Sequence, residues 1–402
     1  MKKRYIDPFS PDLPIDDPER FSGRLVEVES AVDSIFQIAN NKPTNTIITG
    51  DRGIGKSSML VQVKSICEGN NELPERLEID TGEKSFDFIT AWHDCAKDQT
   101  PGILAAGILQ QLQNRITKIL KKIKIDLNFS GIIKITQKES GDSSISEIVS
   151  IFCDELSKAG KKAEENGKTG VILFFDELDR VEPNSGVATF FKLSAEKLSR
   201  NGVKNVAFFA AGITGAIQNM EEEHGSIYRT FKDIPLPRLS QEDVQRILEV
   251  GFNSVHCKYD DEVCLSIYKM SAGYPEPVHL LGSQVLSVDE DDYLSMEDFY
   301  AAKVKTVESL RRNKLSSMLK SAGSGKYQKI LEAMANHEGQ NVPLSFISEQ
   351  IKYKQNQYST NMANLVDRNI ITQIDRGMYS FVDPLLKEYI SRFGVINSEE
   401  DK

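Results

Sequence analysis

An eight-residue stretch, GDRGIGKS from Gly50 to Ser57, has the residue types and spacing of a phosphate-binding loop. It follows the short apolar run TNTIIT and precedes a segment with a helical apolar face, as the pattern G-x-x-x-x-G-K-[ST] requires. The three glycines let successive backbone N–H groups turn inward, and with the helix N-terminus these groups form an anion site. The stretch therefore predicts a nucleotide triphosphate site, with a purely structural glycine turn as the alternative.

Two side chains at the end of this loop have predicted roles in binding the triphosphate. Lys56 is expected to reach the β- and γ-phosphates, and the Ser57 hydroxyl is expected to bind Mg²⁺. The other loop residues are expected to contact the nucleotide mainly through inward-pointing N–H groups. The predicted nucleotide-binding set is Gly50, Asp51, Arg52, Gly53, Ile54, Gly55, Lys56, Ser57 and Ser58.

A pair of acids after the apolar run VILFF predicts that the bound triphosphate is hydrolysed. Asp176 is expected to hold the Mg²⁺ through water, and Glu177 is expected to orient and deprotonate the attacking water. Thr214 follows the next apolar run, in AAGITG, and the carboxyl ends of parallel strands meet at one crevice. Thr214 is therefore predicted to contact the γ-phosphate or the water. Acids that only begin a loop and an ordinary turn threonine are the alternatives.

Strands that place these residues at one edge are predicted from four apolar runs. The runs are TNTIIT, FDFITAWHDC, GVILFFDELD and NVAFFAAGITG, and they alternate with amphipathic helices. Runs that are apolar on both faces indicate a parallel sheet covered on both sides, so the predicted fold class is α/β. The segment GIIKIT, residues 131–136, is predicted to be a small strand or hairpin edge. From about residue 236 the pattern turns helical.

The composition limits the number of domains and the classes of partner. The 402 residues suggest two or three domains. A net charge of −10 gives no general attraction for nucleic acid, so any DNA contact would need a local basic patch. No run reaches the roughly 20 apolar residues that a membrane helix needs. The five scattered cysteines predict free thiols and a cytoplasmic location.

Together with these motifs, the segments around them resemble the AAA+ superclass of P-loop ATPases, in its origin-recognition and STAND (signal-transduction ATPase) branches. GDRGIGKSS and FFDELD carry the nucleotide motifs, and Phe21, Gly23, Arg24 and Glu27 match an F-x-G-R-x-x-E box. That box lines the adenine pocket in the family, so the resemblance implies that Phe21 and Arg24 contact the nucleotide. SAGYPEPVHLLG resembles the G-x-P segment of the STAND branch and adds Pro275 to the implied contacts.

The resemblance also has departures that bear on mechanism. Origin-type lids carry a sensor arginine soon after the lid glycine, whereas this segment has only His279 as a nearby cation. This difference favours the STAND-type arrangement over a ring-forming motor. Arg229 lies where a family arginine finger is found, and a surface or interdomain arginine is the alternative. The implied domains are a P-loop ATPase domain with an N-terminal arm (residues 1–235), a helical lid and connector (236–320) and a winged helix (321–402).

The C-terminal residues 326–390 show three helical patterns followed by two strands, which is the order of a winged helix. NIITQIDRGMYSFVD is typical of a β-hairpin with a tight turn at its DRG sequence. Basic residues near the third helix and at the wing tip predict DNA contacts. They are Lys352, Lys354, Arg368 and Arg376. A protein-docking or autoinhibitory domain is the alternative.

These features predict an ATP-binding and ATP-hydrolysing molecular switch, in which ATP and Mg²⁺ set the position of the winged helix. Its output would be control of an unidentified protein partner or of DNA, with slow turnover and no membrane contact. The alternative is a DNA-binding initiator or transposition-type AAA+ ATPase. A small-molecule kinase is disfavoured because the sequence suggests no acceptor pocket. Assembly as a homo-oligomer is a further expectation.

Overall fold

The apolar runs of the sequence form a parallel sheet in the computed structural model, which describes residues 5–9, 11–82, 85–120, 126–138, 142–213, 220–225, 227–310 and 315–395. The strands are β1 Asn45–Thr49, β2 Phe88–Asp94, β3 Gly170–Asp176, β4 Val206–Gly212 and β5 Phe231–Pro235. Their order across the sheet is β2-β3-β4-β1-β5, and every neighbouring pair is parallel. The predicted parallel α/β architecture is therefore confirmed.

Helices between the strands cover both faces of this sheet. Every residue of β3 and β4 is buried, and alternate residues of a strand point to opposite faces, so both faces must be covered. The helices of this part are α1 Leu25–Ala39, α2 Lys56–Cys67, α3 Glu72–Arg76, α4 Pro101–Ile119, α5 Phe129–Lys138, α6 Asp142–Glu165 and α7 Val187–Arg200. Sheet and helices form one compact unit, Pro14–Pro237.

The prediction of a strand at residues 131–136 is wrong, because this segment lies inside α5. Ile132 is fully buried and Ile135 packs against the same core, whereas Ile133 is exposed, and this spacing follows a helix. The Thr136 hydroxyl donates to the Ile132 carbonyl at 2.9 Å, a bond that a helix makes across one turn. The helix also packs closely on α4, where a Cβ at Gly102 would lie 1.8 Å from the Thr136 hydroxyl oxygen.

A second compact unit combines Met1–Leu13 with Arg238–Lys402, so the chain passes between the units twice. Its first part is helical, with α8 Gln241–Ser254, α9 Asp261–Ser271, α10 Pro275–Val288, α11 Met296–Leu310 and α12 Ser316–Ala322. Two short strands, β6 Lys258–Tyr259 and β7 Tyr293–Leu294, pair in parallel. Among the described residues no helix has the length and apolar character needed to cross a membrane. All five cysteines are buried free thiols, as predicted.

The N-terminal residues belong to this second unit because Phe9 is held in its core. The Phe9 side chain is 3% exposed, and its ring meets that of Phe252 edge to face with centroids 5.5 Å apart. The ring lies between Gly251 of α8 and Gly282 of α10, where added Cβ atoms would come within 2.4 and 2.8 Å of it. Two glycines on neighbouring helices therefore make the space that the aromatic ring fills.

The C-terminal part has the helix and strand order predicted for a winged helix. Its elements are α13 Lys326–Ala335, β8 Val342–Pro343, α14 Leu344–Ile351, α15 Ser359–Asp367, β9 Ile371–Asp375, β10 Met378–Phe381 and α16 Pro384–Phe393. The strands form an antiparallel sheet in the order β8-β10-β9. Gly377, at the wing turn, has a φ of 74°, which glycine adopts without strain.

We expect Gly251→Ala to destabilise the protein by about 1–3 kcal/mol, because the added methyl group would overlap the Phe9 ring. In a Phe9→Ala background the same change is expected to stabilise by about 1 kcal/mol, since alanine is the better helix former once the ring is gone. Urea unfolding of the wild type, both single variants and the double variant measures the two effects. A destabilisation that persists without the ring would contradict the assigned contact.

Candidate functional site

The loop between β1 and α2 has the backbone shape that a phosphate site needs. Gly50, Gly53 and Gly55 have φ angles of 153°, 76° and 98°, which side-chain-bearing residues rarely adopt. A Cβ at Gly50 would lie 2.9 Å from the Ile54 side chain and 3.2 Å from the Leu236 carbonyl oxygen. The loop therefore closes upon itself in a conformation that leaves no room for a side chain at Gly50.

Lys56, the first residue of α2, turns its side chain back over this loop. Its ammonium donates hydrogen bonds to the carbonyl oxygens of Gly50 at 3.1 Å and Asp51 at 2.8 Å. Burial lowers the pKa of Lys56, while the carboxylates of Asp179, Asp176 and Asp51 act in the opposite direction. The structure thus places a cation at the loop, where it could approach phosphate oxygens.

Asp176, the last residue of β3, lies directly beside Ser57. The Ser57 hydroxyl donates a hydrogen bond to the Asp176 carboxylate, which also accepts the Glu177 N–H at 2.8 Å. Asp176 is only 5% exposed, and burial raises its pKa although the hydrogen bond from Ser57 opposes the shift. The structure therefore joins the two residues that the sequence analysis assigns to Mg²⁺.

Glu177 follows on a backbone turned into the left-handed region, with a φ of 58°. Its carboxylate pairs with the Arg180 guanidinium at 2.8 Å and its side chain is 36% exposed. Partial burial raises the pKa of Glu177, Arg180 opposes this, and the neighbouring acids Asp176 and Asp94 add to the rise. Glu177 is thus a carboxylate that water can reach, whose proton affinity is raised by its surroundings.

The structure adds Asp94 to the acids at this edge of the sheet, a residue that the sequence analysis missed. Asp94 ends β2 and pairs in register with Asp176 on the neighbouring strand. The indole N–H of Trp92 donates to its carboxylate at 2.7 Å. The signal in the sequence was an acid at the end of an apolar run, the same signal that identified Asp176.

Two residues of the F-x-G-R box are buried, and one of them, Arg24, contacts the loop backbone. Phe21 and Arg24 are each 7% exposed, and the Arg24 guanidinium donates to the Ile54 carbonyl at 2.9 Å and to the Pro237 carbonyl. These hydrogen bonds hold the loop backbone from the protein side. Ser58 also turns away from the loop, because its hydroxyl oxygen accepts the Ile15 N–H at 3.0 Å.

The remaining predicted site residues are Arg229, Arg52, Pro275 and Thr214. Arg229 ends a short 3₁₀ helix, Ile227–Arg229, and is exposed. Arg52 is exposed on the loop itself, and Pro275 begins α10 in the second unit. Thr214 lies outside the described residues. The structure therefore brings together Lys56, Ser57, Asp176 and Glu177 from the predicted set.

A divalent cation at this place would need oxygen ligands from the substrate. Within the described ranges no group of three or more His, Cys, Asp or Glu residues could hold a metal ion by itself. Mg²⁺ keeps water and phosphate ligands in such sites and takes only one or two from the protein. The hydroxyl of Ser57 and the carboxylate of Asp176 fit that requirement.

The predicted DNA-contact residues of the winged helix fall into two groups. Lys352, Lys354 and Arg376 are exposed. Arg368 instead serves the fold, because its guanidinium donates to the Ala322 carbonyl at 2.8 Å and lies over the Tyr327 ring at 4.9 Å. Arg368 is nevertheless exposed, and its contact with DNA stays a prediction.

Two further lysines extend the exposed group. The ammonium groups of Lys326 and Lys329 lie 5.3 and 5.5 Å from the centre of the Tyr353 ring. We call Lys326, Lys329, Lys352, Tyr353 and Lys354 the lysine–tyrosine patch. Within the described part of the chain, none of its lysines has a carboxylate at ion-pair distance. The patch is thus a local excess of positive charge.

Two solved structures share the architecture of this chain over nearly its whole length. One is the Walker-type ATPase PABY2304 of Pyrococcus abyssi, at 20% identity and a TM-score of 0.61, covering 94% of this chain and 99% of that chain. The other is the ORC2 protein of Aeropyrum pernix, at 12% identity and a TM-score of 0.58, covering 96% of each chain. Residues 314–390 match a family described as a domain of unknown function, DUF8462. No curated protein matches the chain at a significant level.

We expect Asp176→Asn to stabilise the protein at pH 7 by about 0.5–2 kcal/mol, as is usual when a strained functional site is relieved. The folded-state pKa of Asp176 lies above the ordinary value of 3.8, so ionisation favours the unfolded chain and stability falls as the pH rises above that value. The gain in the variant is therefore expected to vanish near pH 4. Thermal unfolding without nucleotide measures it at both pH values.

The matched control is Asp98→Asn, at an exposed position. It is expected to change stability by less than about 0.5 kcal/mol at either pH, as surface substitutions usually do. A stability gain for Asp176→Asn that is the same at pH 4 and pH 7 would contradict the assignment to a buried charge.

Proposed function

Because the chain has the fold of origin-recognition-like AAA+ P-loop ATPases, we propose that it is an ATP-binding and ATP-hydrolysing molecular switch. The observation that carries the proposal is the glycine loop with the Lys56 ammonium bonded to its carbonyls, close to the buried carboxylate of Asp176 and followed in the chain by Ser57. This arrangement joins a phosphate loop to an acid pair at a strand end, which is the combination that nucleotide hydrolysis needs. Asp176 would serve Mg²⁺ binding with or without hydrolysis, so Glu177 is the residue that favours hydrolysis over binding alone.

The loop supports a nucleotide polyphosphate, and a solved structure with a similar fold supports adenine as its base. A glycine loop that leads into a helix N-terminus suits a polyphosphate, whatever the base. The ORC2 protein of Aeropyrum pernix forms complexes with ADPNP and ADP, which are adenine nucleotides. We therefore propose ATP rather than a guanine nucleotide.

Four residues of the site have separate roles in the proposed hydrolysis. Lys56 would place its ammonium beside the phosphate oxygens and offset their charge. Ser57 and Asp176 would hold Mg²⁺, which when bound neutralises charge that develops on the phosphates. Glu177 would accept a proton from the attacking water. Because partial burial raises its pKa, the ionised Glu177 is a stronger base than a fully exposed glutamate.

The output of the switch would be the position of the winged helix. The winged helix belongs to the same compact unit as the helices from α8 onward, so a movement of those helices would carry it along. An ion pair of 2.8 Å between Lys303 of α11 and Glu388 of α16 links the two parts. The partner would be a protein that recognises this position. A cytoplasmic location, assembly as a homo-oligomer and a catalytic role for Arg229 stay predictions.

We expect Glu177→Gln to bind ATP normally and to hydrolyse it about 10²–10⁴ times more slowly, because the amide cannot accept the proton of the attacking water. Calorimetry with ATP and Mg²⁺ measures binding, and phosphate release measures turnover. The matched control is Glu182→Gln, an exposed acid paired with Lys97, which is expected to leave the rate unchanged. A Glu177→Gln protein that hydrolyses ATP at the wild-type rate would exclude the assigned base.

DNA binding is a second candidate function, and the lysine–tyrosine patch favours it. The chain as a whole is acidic, yet the patch places Lys326 and Lys329 over the Tyr353 ring, and Lys352 and Lys354 flank that tyrosine in the sequence. Lysines without acidic partners attract phosphates, and a tyrosine adds a polar hydroxyl and a ring face. The helix α15 itself contains no Lys or Arg, so contacts to the DNA backbone would come from the patch and from Arg376 at the wing.

We expect the double variant Lys326→Gln/Lys329→Gln to lower DNA affinity and to reduce the slope of log K against log salt by about 2, since two phosphate contacts are lost. Fluorescence anisotropy over a salt series measures both quantities. The control Lys42→Gln/Lys161→Gln makes the same charge change at exposed positions elsewhere. An equal loss of DNA affinity in both double variants, or no DNA binding by the wild type at low salt, would exclude DNA binding by the lysine–tyrosine patch.

A further inference from the structure

The peptide bond between Pro237 and Arg238 is one of the two places where the chain passes between the compact units. On one side of this bond, the Pro237 carbonyl accepts a hydrogen bond from Arg24. On the other side, the Arg238 side chain contacts Tyr274 and Ser380. An arginine therefore holds the chain on each side of the crossing, each within its own unit.

Arg24 connects the phosphate loop to residue 237, where the chain leaves the first unit. Its guanidinium is buried and donates to the carbonyls of Ile54, in the loop, and Pro237. A guanidinium is a rigid planar fork, and hydrogen bonds from a charged donor are roughly twice as strong as neutral ones. A shift of the Ile54 carbonyl when the loop closes on phosphates would therefore be transmitted to the Pro237 carbonyl or would break a strong, buried hydrogen bond.

Arg238, the first residue of the chain after it enters the second unit, is connected to the winged helix. Its guanidinium carbon lies 4.8 Å from the centre of the Tyr274 ring, and one nitrogen donates to the Ser380 hydroxyl at 3.2 Å. Both partners are 1% exposed, and Ser380 lies in the wing strand β10. A partly buried hydrogen bond and a cation over an aromatic ring together resist displacement more than a fully exposed contact does.

Leu239, the residue after Arg238, is also fixed to the second unit by a backbone hydrogen bond. The Leu239 N–H donates to the Gly273 carbonyl at 2.9 Å. Gly273 has a φ of 77°, and a Cβ there would lie 2.4 Å from the Leu239 carbonyl oxygen. The start of the second unit is thus locked to the turn that precedes α10, and a displacement at residue 238 cannot be absorbed by a loose connector.

We propose that Arg24 and Arg238 form a relay that carries the state of the phosphate loop across residues 237–238 to the wing strand β10. Both are positioning residues that act through the backbone and through Ser380. The relay rests on the proposed ATP site, because loop closure on the triphosphate supplies the displacement. If the relay is broken at Arg238, the wing no longer responds to nucleotide, while the nucleotide still binds. A purely structural role for Arg238 would not predict this separation of the two effects.

The test compares amide hydrogen exchange in peptides that cover β9 and β10, with and without ATP and Mg²⁺, in the full chain. For the wild type we expect ATP to change exchange there by about fivefold or more, the lower end of usual coupling between sites. Arg238→Ala is expected to bind ATP with unchanged affinity by calorimetry and to lose the change in exchange. Arg246→Ala, an exposed arginine on α8, is the matched control and is expected to behave as the wild type.

A second variant keeps the test sharp if Arg238→Ala does not fold. Ser380→Ala removes only the hydroxyl that accepts the Arg238 hydrogen bond, and it is expected to reduce the ATP-dependent change in exchange. Normal ATP binding with no change in wild-type exchange at β9 and β10 would overturn the relay alone. An undiminished change in both variants would overturn it as well. Absence of ATP binding by the wild type would instead overturn the ATP site, and the relay with it.

Discussion

Positive φ angles at three glycines are the constraint on which the site depends. Between Gly50 and Gly55 the backbone has φ angles that favour glycine, and a Cβ at Gly50 would strike the Ile54 side chain and the Leu236 carbonyl. This path sets where α2 begins, and so it places Ser57 within a hydrogen bond of Asp176. The chemistry of the acids therefore follows from a backbone shape that few residue types permit.

Much of the fold and of the nucleotide site could be predicted from sequence because single elements carry the information. The strands β3 and β4 are apolar on both faces, and in a chain with alternating helices such runs are typical of buried parallel strands. The loop and the Asp176–Glu177 pair each lie at one strand end, so a local pattern was sufficient to find them. Asp94 also stands at the end of a strand. The run before it mixes polar and apolar residues, so the end of that strand was harder to recognise.

The rest depends on contacts between distant parts of the chain, which local patterns do not encode. The segment 131–136 is short enough to suit a strand or a helix, and packing on α4 decides in favour of the helix. In β5, Phe231 and Ile234 are buried but Lys232 and Asp233 are exposed, so no apolar run marks the strand. Arg368 bonds to a carbonyl 46 residues away, so its charge alone could not reveal its use.

Phe9 and its two glycines have a consequence for how the protein is made. The ring leaves the ribosome well before its two partners, because Gly251 and Gly282 are synthesised more than two hundred residues after Phe9. At about 5–20 residues per second, the nascent chain waits on the order of ten to fifty seconds for them. During that interval the unit Pro14–Pro237 can fold while the Phe9 ring stays exposed to chaperones, so the order of translation and the order of assembly differ for the second unit.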